Sequence, residues 1–249
     1  MLPLHDENPT TSKPVVTLSL IGVNVFVFLL QLAVGVNRST LVFGLIPAQL
    51  LHTPISMEAL EQLRASPEAL RLNFEPAWVT LFTSMFLHGG WMHVLGNMWF
   101  LWIFGNNLED RMGKGKFLAF YLICGLGAAA AQIAMGPNSP IPMVGASGAI
   151  AGVLGGYLLL FPGSRIVCLT MFLIITTVEL PAWIVLGFWF VVQFVLGLVS
   201  AGGPGGGVAY AAHVGGFLCG LLLVRLFAQP LPPPPPRRYD PRPDSFTWR

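Results

Sequence analysis

Two polar side chains on separate apolar segments have the types needed for nucleophilic catalysis. Ser147 begins one such segment, and His213 lies near the start of another. A serine hydroxyl is a weak nucleophile unless an adjacent base takes its proton, and histidine suits that transfer near neutral pH. If the two segments meet, the pair can act as a Ser–His unit.

The sequence offers no carboxylate beside this pair. The nearest acids, Glu109, Asp110 and Glu179, lie toward the predicted cytoplasmic ends of their segments. We therefore predict a two-residue unit, in which packing rather than a third charged residue orients the imidazole.

Donors for the negative charge of a tetrahedral intermediate are available near Ser147. Its backbone N–H lies at the start of a predicted helix, where N–H groups lack intrahelical acceptors. His93 and Asn97 share a helical face and could add side-chain donors. The alternative for His93 is an internal hydrogen bond between helices, which is the favoured interpretation of His88. A metal site of His88, His93 and His213 lacks a completing carboxylate or cysteine, so no metal or cofactor is predicted.

The composition places these residues in a membrane protein surrounded by a lipid bilayer. Of 249 residues, 54% are hydrophobic and only 10% are charged, against about 25% charged in a soluble domain. The net charge of +2 argues against nucleic acid as a partner. The cysteines are scattered within or beside apolar runs, which predicts apolar packing rather than a disulfide or zinc site. They are Cys124, Cys168 and Cys219.

Six transmembrane segments are predicted, which gives an all-α membrane protein. They are Val15–Val34, Trp91–Phe104 with an apolar lead-in from Trp78, Phe117–Met135, Gly145–Phe161, Trp183–Ser200 and Ala209–Phe227. Segment Ile166–Leu180 is either interfacial or a lower extension of the fifth span. The predicted organisation is a short N-terminus (1–14), a six-helix membrane domain (15–228) and a Pro/Arg-rich tail (229–249).

Basic residues set the predicted orientation. The outer segments hold only Arg38, Arg64 and Arg71, all in the first loop. Both termini are therefore predicted in the cytoplasm, and a bacterial inner membrane is the expected location. The basic residues assigned to the inside are Lys13, Arg111, Lys114, Lys116, Arg165, Arg225, Arg237, Arg238, Arg242 and Arg249.

Ser147 and His213 are predicted at one depth in the membrane. Ser147 precedes Phe161, and His213 precedes Phe227, by the same number of residues. At about 1.5 Å per residue, both lie roughly 21 Å above the inner ends of their helices. His93 falls at a similar level by the same rule.

Small residues give the fourth and sixth spans a way to meet. Stripes of this kind let helix backbones approach closely. A lone membrane serine usually bonds its own backbone, but the matched depth and the two stripes together favour a site. The stripes are Gly148, Gly152 and Gly156 in the fourth span, and Ala212, Gly216 and Gly220 in the sixth.

Three segments outside the spans have distinct compositions. The first outer loop, Gly35–Ala77, contains an amphipathic pattern at 57–71 that predicts a helix at the outer interface. The Gly-rich run 202–207 is predicted to be mobile. The Pro-rich tail from Pro230 onward is predicted to be extended and solvated.

With these elements in order, the chain resembles the rhomboid family of intramembrane serine proteases over its whole membrane core. The ordered set of motifs is specific, although each motif alone is weak. The set comprises Phe86-Leu87-His88 followed by His93 and Asn97, Leu108-Glu109-Asp110-Arg111-Met112-Gly113, Gly145-Ala146-Ser147-Gly148 and Ala212-His213-Val214-Gly215-Gly216.

The resemblance implies a six-helix rhomboid-like bundle with a water-filled cavity that opens outward. It implies Ser147 as the nucleophile and His213 as the general base. His93, Asn97 and the Ser147 backbone would form the oxyanion site. Substrates would be membrane proteins with a single transmembrane helix that unwinds at small or helix-breaking residues. The fifth helix and the loop after it would gate access.

Two positions depart from the family pattern. Many relatives have an aromatic residue one turn after the serine, packed on the histidine ring, where this chain has Ala151. A Trp-Arg pair common in the first loop is also absent, because Val79 and Thr80 follow Trp78. The first departure concerns how the imidazole is held, and the second concerns how the loop is anchored.

Two other functions fit a six-helix protein. A catalytically silent relative would bind or escort membrane proteins, but such members typically lose the serine or the histidine. A channel or transporter would use the histidines for proton transfer, but no chain of intramembrane acids is visible in the sequence.

Overall fold

A computed structural model describes residues 1–54, 76–171, 175–200 and 208–229 of the chain. The predicted amphipathic segment at 57–71, the Gly-rich run 202–207 and the Pro-rich tail from Pro230 lie outside the described residues. The described helices are α1 (Val15–Val34), α2 (Val36–Phe43), α3 (Pro47–Leu50), α4 (Thr80–Thr83), α5 (Trp91–Met112), α6 (Lys114–Met135), α7 (Ser147–Leu160), α8 (Ala182–Ser200) and α9 (Tyr210–Phe227).

Four of these helices, α1, α6, α8 and α9, are long and apolar enough to cross a membrane. Helix α5 has 22 residues and extends beyond the predicted second span to end on Glu109-Asp110-Arg111-Met112. Helix α7, the predicted fourth span, has 14 residues. The helical membrane bundle is thus confirmed, and the count of six spans stays a prediction.

A three-stranded antiparallel sheet corrects the all-α prediction. Strands β1 (Leu2–Asp6), β2 (Arg165–Met171) and β3 (Ile175–Pro181) lie in the order β1-β2-β3. The proposed helical extension over Ile166–Leu180 is wrong, because Ile166 pairs with Leu180 across a hairpin. The β-branched residues, three of seven in β2 and four of seven in β3, favour an extended backbone. The interfacial alternative for this segment stays a prediction.

The N-terminal segment is fixed between two helices. The Trp99 indole of α5 donates to the carbonyl of Pro3 at 2.7 Å, and the Tyr157 hydroxyl of α7 donates to Asp6 Oδ2 at 2.6 Å. Burial raises the pKa of the Asp6 carboxyl above its usual value. Because β1 also pairs with β2, these contacts attach the sheet to the helical bundle.

The acids at the end of α5 support the start of α1. Buried Glu109 accepts hydrogen bonds from the backbone N–H groups of Val16 and Thr17 at 2.9 and 2.8 Å. Asp110 accepts from the backbone N–H groups of Thr11 and Ser12 at 3.1 and 2.8 Å. Carboxylates at a helix start satisfy free N–H groups and favour the helix dipole.

Helices α7 and α9 meet backbone to backbone along the predicted small-residue stripes. A Cβ built on Gly220 would lie 1.9 Å from the carbonyl oxygen of Gly152, and one on Gly216 would lie 2.0 Å from that of Gly148. No side chain larger than hydrogen fits these positions without separating the helices. The predicted close approach is therefore confirmed, and we call this contact the α7–α9 seam.

Candidate active site

Ser147 and His213 meet at the end of the α7–α9 seam that is formed by the first turns of the two helices. Ser147 Oγ lies 2.8 Å from His213 Nε2, which is hydrogen-bond distance. Ser147 is the first residue of α7, and His213 lies in the first turn of α9. The stripes place two backbones in contact, so side chains at the start of each helix can touch. The structure thus brings together the two residues singled out in the sequence.

The loop before Ser147 is attached to the segment that precedes α5. The Gly145 N–H donates to the carbonyl of Ser84 at 2.9 Å, and Leu45 and Met143 exchange two backbone hydrogen bonds. Gly145 has φ of +129°, a conformation that side chains disfavour. A Cβ on Gly145 would also lie 2.7 Å from His93 Nε2. Gly145 therefore lets the loop pass close to His93 as it enters α7.

The second nitrogen of His213 has a partner that the sequence reasoning missed. Gln193 Oε1 of α8 lies 2.7 Å from His213 Nδ1. Gln193 is a polar residue inside the fifth predicted span. That placement was itself a signal, because a polar group at membrane depth requires a reason. The imidazole is therefore oriented by a hydrogen bond as well as by packing.

Aromatic support for His213 comes from α8 and α9. The Trp189 ring of α8 lies 5.9 Å from the imidazole, centroid to centroid, and is tilted by 38°. Tyr210, at the start of α9, approaches edge-on at 6.4 Å. Ala151 is fully buried in α7. The aromatic group missing at Ala151 is thus replaced by rings from other positions.

His93 and Asn97 lie on α5 and present hydrogen-bond donors. The Gly89 N–H donates to His93 Nδ1 at 3.2 Å, which leaves the proton of a neutral imidazole on Nε2, the atom nearest Gly145. Asn97 is buried, and its Nδ2 has no hydrogen-bond acceptor among the described residues. Its amide is therefore a buried donor that has no acceptor in the part of the chain that the structure describes.

His88 does not make the predicted interhelical hydrogen bond with its imidazole to any described residue. Its backbone does so instead: the N–H donates to Gln31 Oε1 of α1 at 2.8 Å, and the carbonyl accepts from Gln31 Nε2. The ring packs edge-on against Phe28 and His93. Within the described ranges, no three His, Cys, Asp or Glu side chains form a cluster suited to a metal.

A small cavity of about 20 Å³ lies beside Ser147. Small residues of α6 and α7 line one side of it, including Ala128, Ala129 and Gly148. The cavity leaves room beside the serine hydroxyl for about one water molecule.

Comparisons with known proteins agree on one family. The Rhomboid domain matches residues 75–230, which is more than half of the chain. Rhomboid protease GluP of Bacillus subtilis is 37% identical over 140 residues, covering 55% of this chain and 26% of that protein. RHOMBOID-like protein 1 of Arabidopsis thaliana is 32% identical over 168 residues, covering 68% of this chain and 39% of that protein.

A third relative is the mitochondrial Rhomboid protein 1 of Saccharomyces cerevisiae. It is 27% identical over 157 residues, covering 61% of this chain and 43% of that protein. The chain thus matches less than half the length of each of these three curated relatives.

Proposed function

The chain belongs to the rhomboid family, and we propose that it is an intramembrane serine protease that hydrolyses peptide bonds in or next to the transmembrane helices of membrane proteins. The observation that carries this proposal is the 2.8 Å contact between Ser147 Oγ and His213 Nε2. Relatives that carry the word protease in their names support it.

The reaction uses His213 as the base and Ser147 as the nucleophile. As Ser147 Oγ bonds to the carbonyl carbon of the scissile peptide, its proton passes to His213 Nε2. The imidazolium then gives that proton to the departing amine, which leaves an acyl-enzyme. Water then attacks the ester as its proton passes to His213 Nε2, and the imidazolium returns that proton to Ser147 Oγ as the carboxylic acid departs.

The developing oxyanion is stabilised by three donors. These are His93 Nε2–H, Asn97 Nδ2–H and the backbone N–H of Ser147. The orphaned Asn97 donor supports this assignment, because an oxyanion would supply its missing acceptor. No carboxylate takes part in the unit that we propose.

Substrates and setting follow from the same proposal. The partners are transmembrane proteins presented by a lipid bilayer, in which this integral membrane protein also lies. Relatives named as mitochondrial and chloroplastic exist beside bacterial ones, so location in a bacterial inner membrane remains part of the proposal.

The test is cleavage of a model transmembrane substrate in liposomes. Ser147→Ala and His213→Ala should each abolish cleavage, and a fluorophosphonate probe should label the wild type but not Ser147→Ala. Ser19→Ala is the matched control, because Ser19 Oγ bonds the carbonyl of Val15 in its own helix. It should cleave at the wild-type rate. Cleavage that survives Ser147→Ala would refute the assignment.

A catalytically silent rhomboid-like protein that binds or escorts membrane proteins is the competing function. It predicts neither cleavage nor probe labelling by the wild type. The hydrogen-bonded Ser147–His213 pair favours the protease, because a silent protein has no need to keep both groups in contact.

A further inference from the structure

We propose that Gln193 is a positioning residue that holds His213 in the tautomer required of a general base. This inference rests on the proposed function, and it concerns a residue outside the Ser–His pair. Gln193 lies on α8, which carries neither the nucleophile nor the base.

The two hydrogen bonds of His213 are compatible with a single neutral tautomer. A neutral imidazole has one N–H, and the oxygen of an amide can only accept. Gln193 Oε1 at 2.7 Å therefore places the proton on Nδ1. Nε2 is then an acceptor for the hydroxyl of Ser147 at 2.8 Å. The other tautomer would direct an N–H at the serine and leave it without a base.

Gln193 keeps this role through the reaction without gaining or losing a proton. When Nε2 takes the proton of Ser147, the ring carries an N–H on both nitrogens, and Nδ1–H still donates to Gln193 Oε1. When Nε2 protonates the leaving amine, the starting tautomer returns. Because the amide is neutral, it stabilises the imidazolium less than a carboxylate would.

The contacts that orient the imidazole of His213 come mainly from α8. His93 and Tyr210 are the titratable side chains facing it among the described residues. Trp189 lies one turn before Gln193 on the same helix and covers the imidazole. A single helix thus supplies both the acceptor for Nδ1 and the ring beside it. The alignment of the base depends on α8 remaining packed against α9.

Two substitutions separate the acceptor from the bulk of the side chain. Gln193→Leu keeps the size and removes the acceptor, so kcat should fall about 10- to 100-fold with little change in KM. Gln193→Glu keeps an acceptor, so it should retain a kcat within a few fold of the wild type. Its carboxylate stabilises the imidazolium and should move the acid limb of the pH–rate profile to higher pH. Phe194→Leu, at the adjacent exposed position, controls for a general disturbance of α8.

A measurement that needs no cleavage tests the tautomer directly. In ¹⁵N NMR spectra of histidine-labelled protein in detergent, with His213→Ala to assign the signal, the wild type should show His213 protonated on Nδ1. Gln193→Leu should lose that preference.

The proposal fails if wild-type His213 is protonated on Nε2, or if Gln193→Leu cleaves like the wild type. The second result, combined with loss of cleavage in Ser147→Ala, would leave the protease function standing. A wild type that cleaves nothing would refute the function, while the NMR result would still decide the role of Gln193.

Discussion

The α7–α9 seam and the contact of α8 with α9 hold the same imidazole by different means. At the seam, glycine carbonyls and glycine α-carbons lie against each other with no side chains between them. At α8, two side chains, Gln193 and Trp189, reach the ring. Helix α8 is also the least buried of the four helices able to span a membrane.

This difference separates position from orientation. Backbone contact fixes how far Ser147 lies from His213, and it can change only if whole helices move apart. Side-chain contact fixes the rotation of the imidazole and, in our proposal, its tautomer, and single substitutions can alter both. We therefore expect substitutions at the seam to affect folding, and substitutions on α8 to affect turnover.

The largest effect is expected from Gly220→Val. Its side chain would overlap the carbonyl of Gly152, which belongs to a helix backbone and cannot rotate away. We expect a loss of about 3 kcal/mol or more of stability, measured as thermal unfolding and folded yield in detergent. Gly187→Val is the matched control, because a Cβ at this α8 position meets no atom within 4 Å. Equal effects of the two changes would contradict the comparison.

A residue outside both regions separates chemistry from folding. Asn97→Ala removes the proposed oxyanion donor, so kcat should fall about 10²- to 10³-fold. Because Asn97 Nδ2 has no acceptor among the described residues, the thermal unfolding temperature should change little. An unchanged kcat would remove Asn97 from the site.

Trp189→Ala tests the ring contact from α8. An aromatic pair contributes about 0.5–1.5 kcal/mol beyond its buried area, so kcat should fall by up to about tenfold. Trp183→Ala lies on the same helix and removes an indole that is 59% exposed. It should turn over substrate at the wild-type rate. Similar losses in both variants would indicate that α8 acts through its general packing.

The smallest effect is expected at the sheet, whose strand β3 leads directly into the first residue of α8. Tyr157→Phe removes the hydrogen bond to Asp6 that ties the sheet to α7, at a cost of about 1 kcal/mol. Burial already raises the pKa of Asp6, and losing this donor raises it further.

The stability lost in Tyr157→Phe should depend on pH, because the substitution raises the pKa of Asp6 further. A raised pKa means that ionisation of Asp6 opposes folding, so the loss should be greater at neutral pH than in mild acid. Unfolding of the wild type and of Tyr157→Phe, at neutral pH and in mild acid, measures this difference in stability. A loss that is larger in acid would contradict the assigned contact.

Local sequence was sufficient to predict the long apolar helices and to single out Ser147 and His213. Apolar runs predicted α1, α6, α8 and α9 nearly to their ends, because length and hydropathy alone decide whether a segment can span lipid. The small-residue stripes predicted the close approach of α7 and α9, because small residues let helix backbones come together. The equal predicted depth of Ser147 and His213 in the membrane indicated that they form a pair.

Other features depend on partners far away in the chain. Segment Ile166–Leu180 is apolar enough for a helix, but its two strands pair with each other, and residues 2–6 add a third strand from the far end of the sequence. The imidazole of His88 was expected to form a hydrogen bond between helices, whereas it is the backbone N–H and carbonyl of His88 that bond to the side chain of Gln31. No periodicity within either segment indicates these contacts.

By itself, the sequence determined which residues could do the chemistry and which helices had to carry them. The tertiary structure alone decided how His213 is held. Whether Gln193 and Trp189 face His213 depends on the rotation and seating of α8 against α9. Those quantities come from packing among several helices, which the hydropathy of one segment does not encode.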